Sequence, residues 1–129
     1  MPGHADAIRA VYERWAEGDF RTTADYDPAV SFSLTPGFPD SGTYRGMAAI
    51  AGYMHDFLEP WEKVTITREE IEEVGDQVLA SVRQRAVGEG SGAATEFSYF
   101  QLWTLRAGRI VRLQNFRERD SALEAAGAA

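Results

Sequence analysis

The second half of this chain leaves little freedom of fold. Between residues 64 and 116, four long stretches rich in β-branched and aromatic residues follow one another. Only Gly75-Asp76, the Gly-rich run 88–92 and Ala107-Gly108 separate them. Connections this short cannot house a crossover, so the strands predicted over 64–74, 77–87, 96–105 and 110–116 pair as an antiparallel meander. Apolar residues occupy both alternating faces of the last two strands, which implies cover on both sides of the sheet.

The first half supplies helices. Ile8, Val11, Tyr12 and Trp15 fall on one face at helical spacing, which predicts a helix over 5–17 ended by Gly18-Asp19. Asp19 then caps a short helix over 20–26, closed by Asp27-Pro28. Residues 30–34 alternate strictly and predict a strand with Val30, Phe32 and Leu34 on one face. Residues 35–42 are dense in Pro and Gly and read as loop. A further helix over 47–59 turns Ile50, Tyr53, Met54, Phe57 and Leu58 inward and stops at Pro60. A tail helix starts near Ser121, where Ser121 and Glu124 have capping-box spacing. Helices ahead of a strand meander define an α+β fold rather than an alternating α/β one. At 129 residues, with 44% hydrophobic and 26% charged residues, the chain reads as one domain over 1–129 with a real core.

Composition excludes several functions. A net charge of −7 disfavours binding to nucleic acid or to an anionic membrane surface. With no Cys there is no disulfide, thiol nucleophile or thiolate metal site, and a reducing cytoplasm is the natural compartment. No apolar run approaches a membrane span, and the first six residues do not resemble a signal peptide. His4 and His55 have no nearby carboxylate spacing that predicts a metal site, and no cofactor motif is present: Gly88-Glu89-Gly90-Ser91-Gly92 lacks the Lys and the helix start of a phosphate loop.

Several words of the sequence resemble a known family. They are Tyr12-Glu13-Arg14-Trp15-Ala16-Glu17-Gly18-Asp19, Tyr26-Asp27-Pro28-Ala29-Val30 and Gly42-Thr43-Tyr44-Arg45-Gly46. Trp103-Thr104-Leu105-Arg106-Ala107-Gly108-Arg109-Ile110-Val111 and Ala122-Leu123-Glu124-Ala125-Ala126-Gly127 follow in the same order. Together they resemble the SnoaL-like and ketosteroid-isomerase-like branch of the nuclear-transport-factor-two-like superfamily, with its cystatin-like fold. The resemblance implies a curved antiparallel sheet wrapped around three helices, forming a cone with an internal pocket. It also implies a concave face that meets the helices and a convex face that often meets a partner subunit. The scaffold hosts isomerases, polyketide cyclases, epoxide hydrolases and non-catalytic binders, so fold does not settle function.

A two-residue turn at Ala107-Gly108 pairs Arg106 with Arg109 and Leu105 with Ile110. One face then carries Ser98, Phe100, Leu102, Thr104, Val111, Leu113, Asn115 and Arg117. The resemblance puts that set inward, together with Val78, Ala80, Val82 and Gln84. At the position matching the isomerase base stands Phe32, and at the acid donor's position Phe100. The positions matching the epoxide-hydrolase set are Val82, Gln84 and Asn115, so both catalytic sets are absent. The remaining carboxylate of inward parity is Glu96, weighed against a solvated strand end; Asp40 reads as a turn residue, and Glu69, Glu70, Glu72 and Glu73 as a charged edge.

The expected pocket draws Tyr12, Trp15, Tyr53, Met54, Phe57 and Trp61 from around the helices. From the strands come Phe32, Leu34, Gln84, Ser98, Phe100, Leu102, Leu113 and Asn115. Such a lining suits a hydrophobic small molecule. It fits either an isomerase- or cyclase-like enzyme acting on a hydrophobic carbonyl or polyketide-like compound, or a non-catalytic ligand-binding or dimeric accessory domain. The other face carries Phe97, Tyr99, Trp103, Arg112, Gln114 and Phe116. Aromatics and Arg in one patch predict a homodimer through the outer sheet, because the mostly Ala and Gly tail offers little cover.

Overall fold

The computed structural model describes residues 4–20, 25–38, 41–88 and 90–127. In chain order they form α1 (His4–Ala16), β1 (Tyr26–Leu34), β2 (Gly42–Arg45), α2 (Met47–Leu58), β3 (Trp61–Val74), β4 (Gln77–Gly88), β5 (Ala94–Arg106), β6 (Arg109–Phe116) and α3 (Arg119–Gly127). The strands make one open, curved sheet in the order β2-β1-β6-β5-β4-β3. The meander from β3 to β6 is antiparallel, as its short turns require. The sheet as a whole is mixed, because β1 runs parallel to β6 with Phe32 opposite Leu113 and Leu34 opposite Asn115. The short edge strand β2 lies where the sequence reads only as loop and connector. The helix expected over 20–26 falls mostly outside the described residues, and its last residue, Tyr26, opens β1 instead.

The concave face is closed by α1, whose Ile8, Val11, Tyr12 and Trp15 join Val78, Ala80, Val82 and Trp103 in one core. Gly18, at φ 82, ends that helix in a left-handed conformation that a side chain would strain. Glu69, Glu70, Glu72 and Glu73 of β3 are exposed on a sheet edge, where charge discourages further strand pairing. Among the described residues no helix is long and apolar enough to cross a membrane.

One residue decides which side chains look inward. Ala107 (φ 53) and Gly108 (φ 78) both take the left-handed conformation of a type I′ turn. Arg106 pairs with Arg109 and Leu105 with Ile110, as the turn predicts, but Thr104 then pairs with Arg112 rather than Val111. Val111 is thus the extra residue of a β-bulge, and beyond it the parity of β6 relative to β5 is exchanged. Trp103 stands beside Leu113 and Gln101 beside Asn115. The inward assignment holds for Leu113 and Asn115 on β6 and for Val78, Ala80, Val82 and Gln84 on β4. On β5 it is reversed. Phe97, Tyr99, Gln101 and Trp103 face the helices, while Ser98, Phe100, Leu102 and Thr104 face outward.

That reversal takes half of the expected dimer surface to the other side of the sheet. Arg112, Gln114 and Phe116 do lie on the convex side, but Phe97 and Tyr99 belong to the concave cluster and Trp103 is 0% exposed. The tail covers more than its composition suggests: Ala122 and Ala126 of α3 pack against Leu79, Leu102 and Phe116, with Phe100 at the margin. Small residues let the helix approach the sheet closely. α3 begins at Arg119, so Ser121 lies within its first turn rather than at the N-cap, and Arg119 pairs with Glu72 of the edge strand.

Candidate functional site

Between α2 and the concave sheet lies a cavity of about 610 Å³. Its walls follow from strand rows that cross the sheet. Ile66, Gln84 and Phe97 stand side by side on β3, β4 and β5, and Gln101, Asn115 and Leu34 do so on β5, β6 and β1. From above, α2 contributes Ile50, Tyr53, Met54 and Phe57, the face expected from its periodicity. No residue of α2 is fully buried, because that face borders the cavity rather than a filled core.

Aromatic rings frame the space. Tyr53 sits 5.3 Å from Phe32 and 4.8 Å from Tyr44, centroid to centroid. Phe38, from the Pro-Gly loop, meets Phe97 and Tyr99 edge-on at 5.9 and 5.7 Å. The Arg117 guanidinium lies 4.4 Å from the Phe97 ring centroid and donates to the Gly37 carbonyl at 3.0 Å, tying that loop to the strand.

Within this apolar frame, two hydrogen-bonded sets of polar groups reach the cavity. In the first, Trp103 Nε1 donates to the Tyr12 hydroxyl at 2.7 Å, and Tyr12 donates to Gln101 Oε1 at 2.7 Å. Gln101 Nε2 donates in turn to Asn115 Oδ1 at 3.0 Å. In the second, the Tyr99 hydroxyl donates to Gln84 Oε1 at 3.0 Å. Burial pushes both the Tyr12 and Tyr99 phenols well above their usual range, so each keeps its proton. Among the described residues, no Asp, Glu, Lys or Arg lines the cavity.

Of the residues expected to line the pocket, Trp15, Phe32, Leu34, Tyr53, Met54, Phe57, Gln84, Leu113 and Asn115 do so. Tyr12 is packed behind the wall and reaches the site only through Gln101. Phe100 and Leu102 belong to the convex cluster and Ser98 is exposed, all three displaced by the bulge. The match of Phe100 to an isomerase acid therefore lapses. Trp61 opens the edge strand beside Ser91 and Gly92, away from the cavity. Glu96 is exposed and shares the outward parity of Ser98, so it meets no ligand in the cavity. Asp40 lies outside the described residues.

Phe97, Tyr99 and Gln101 are the site residues that sequence parity misplaces. The presence of Tyr99 and Gln101 on one face, opposite Gln84, is a signal that supports the other parity. The wall residue Phe38 has a fainter signal, as the one large apolar side chain in a Pro-Gly loop. His55 borders the cavity rim with its side chain exposed to solvent. It does have carboxylate neighbours, contrary to expectation: its Nδ1 lies 3.4 Å from Asp56 and 3.9 Å from Glu59. All three are exposed on α2, an arrangement common without a metal.

A curved mixed sheet with helices over its concave face and an aromatic cavity between them defines the nuclear-transport-factor-two-like class of pocket domain. A family model for the SnoaL-like domain matches residues 8–113, and the chain belongs to that family. No curated protein matches the sequence. Among solved structures, a nuclear-transport-factor-two-like protein from Burkholderia thailandensis E264 is 26% identical, with TM-score 0.77, over 99% of this chain and 98% of its own. TerC, co-crystallised with polyporic acid, is 20% identical, with TM-score 0.73, over 95% of this chain and 96% of its own. A putative SnoaL-like polyketide cyclase from Jannaschia sp. CCS1 is 14% identical, with TM-score 0.70, over 96% and 91%.

Proposed function

We propose that this SnoaL-like domain binds a hydrophobic carbonyl or polyketide-like small molecule in the cone. The carrying observation is the cavity itself: about 610 Å³, walled by aromatic rings and supplied with carboxamides rather than carboxylates. That volume is within the range of ordinary small-molecule sites. The co-crystallisation of TerC with a small molecule supports the reading. Carboxamides orient a carbonyl or a water but do not remove a proton near neutral pH. The lining therefore favours reversible binding over isomerase-like chemistry, and any reaction at this site would draw on polarisation of the ligand by N–H donors.

Fluorene, a flat hydrocarbon, tests the reading directly. Titration followed by quenching of Trp fluorescence should be saturable and one-to-one, since Trp15 lines the cavity. A Leu34→Trp variant, which fills the space, should weaken binding at least about tenfold with its circular dichroism spectrum unchanged. Equal binding to both proteins would place the ligand elsewhere and overturn the proposal.

A further inference from the structure

Hydrogen bonds in the longer set have a direction, and the direction is set from outside the cavity. An indole N–H can only donate, so the Tyr12 oxygen must accept from Trp103. The remaining hydrogen of Tyr12 has Gln101 as its partner and enters Oε1. That contact orients the Gln101 carboxamide with Nε2 toward Asn115, which must then offer Oδ1. Asn115 Nδ2 is left over. It takes part in no hydrogen bond among the described residues, on a side chain that lines the cavity in a residue only 5% exposed. The Asn115 backbone carbonyl is held separately, by Thr35 Oγ1 at 2.8 Å and the Thr35 amide at 3.2 Å. Turning the Asn115 amide over would bring two N–H groups together and break the contact with Gln101. The Gln84–Tyr99 pair has no such lock, because a phenol can accept as readily as it donates.

We infer that Asn115 is a fixed N–H donor that makes the cavity selective for ligands whose oxygen accepts there: ketones, quinones and enolates over their hydroxyl counterparts. This rests on the proposed binding function and adds its polarity. A carbonyl oxygen satisfies Nδ2 outright. A hydroxyl can accept from it too, but its own hydrogen loses its water on entry and must then share Asn115 Oδ1 or Gln101 Oε1, each already accepting a bond, or go unpaired.

Three probes of one shape separate the two ideas: fluorene, 9-fluorenone and 9-fluorenol, titrated by calorimetry. Wild type should bind fluorenone about tenfold tighter than fluorenol, the scale of one uncompensated hydrogen bond. Asn115→Leu should bring the two within about threefold. Tyr12→Phe, which touches no ligand, should also narrow the ratio, because Gln101 and Asn115 are then free to turn over. Should that variant fail to fold, Asn115→Leu still decides the matter. Fluorene binding together with equal affinities for fluorenone and fluorenol in wild type, or a ratio unmoved by Asn115→Leu, would overturn the inference and leave the binding function standing. Failure of all three probes to bind would overturn both.

Discussion

Tyr12→Phe is the substitution on which the interior account depends most heavily, and its cost in stability can be worked out. The change removes one oxygen and leaves the ring, so the edge-on contacts with Trp15 and Trp103 at 5.6 and 5.7 Å persist. Two hydrogen bonds of 2.7 Å disappear, and their partners stay buried: Trp103 is 0% and Gln101 2% exposed. A stranded buried polar group costs about 1–3 kcal/mol. The Trp103 N–H finds no substitute, whereas Gln101 recovers part of its loss by turning its amide. The expected destabilisation is therefore about 2–4 kcal/mol, a large share of the ~5–15 kcal/mol that holds a typical domain together. Equilibrium urea unfolding should show a lower midpoint at unchanged slope. In a double-mutant cycle, Trp103→Phe should cost about 1–2 kcal/mol less in the Tyr12→Phe background than in wild type, since its donor is already orphaned. Tyr99→Phe is the control, expected to cost only about 0.5–1.5 kcal/mol because half-buried Gln84 can turn toward the cavity. A Tyr12→Phe loss below ~0.5 kcal/mol, or no coupling to Trp103, would refute the hydrogen-bonded relay.

Trp103→Glu should unfold the chain, because it buries a carboxylate under α1; a folded variant with altered oligomeric mass by light scattering would instead return Trp103 to an outer interface. Removing α3 by truncation after Glu118 uncovers Leu79, Leu102 and Phe116, at up to about 1.5–3 kcal/mol each, so thermal stability should fall and self-association rise. An unchanged melting temperature would mean that α3 is not docked. Ala107→Asn supplies a residue that tolerates the left-handed conformation at φ 53 and should raise the urea-derived stability by about 0.5–1 kcal/mol; a loss would contradict the I′ turn. Glu96→Gln should change neither stability beyond ~0.5 kcal/mol nor fluorene affinity, whereas lost binding would restore Glu96 to the site.

Much of the architecture is local and was therefore legible. The periodicity of Ile8, Val11, Tyr12 and Trp15, the inward face of α2 and the turns at Gly75-Asp76 and Ala107-Gly108 all depend on neighbours in sequence. The parallel pairing of β1 with β6 is not local, and nothing in residues 26–34 announces a partner so far along the chain. Strand β5 alternates Phe97, Tyr99, Gln101 and Trp103 with Ser98, Phe100, Leu102 and Thr104, so burial could favour either set. The bulge falls at Ile110-Val111, two apolar residues that fit any register, and leaves no mark on the pattern. The carboxamides Gln84 and Asn115 could be placed inward because β4 and the far part of β6 kept their parity. The phenol and indole that orient Gln101 and Asn115 became visible only in three dimensions.

The bulge at Val111 also ties the register of a hairpin to the chemistry of a distant chamber. Without it, Gln101 would face Gln114 and Trp103 would face Arg112, bringing a guanidinium beneath α1 and carrying the Asn115 amide out to the convex side. Surface hairpins ordinarily accept one-residue insertions and deletions as neutral variation. In this chain the loss of Val111 itself would be accepted in that way, because Ile110 would run straight into Arg112 and keep Trp103 beside Leu113 and Gln101 beside Asn115; what the interior constrains is the pairing beyond the bulge.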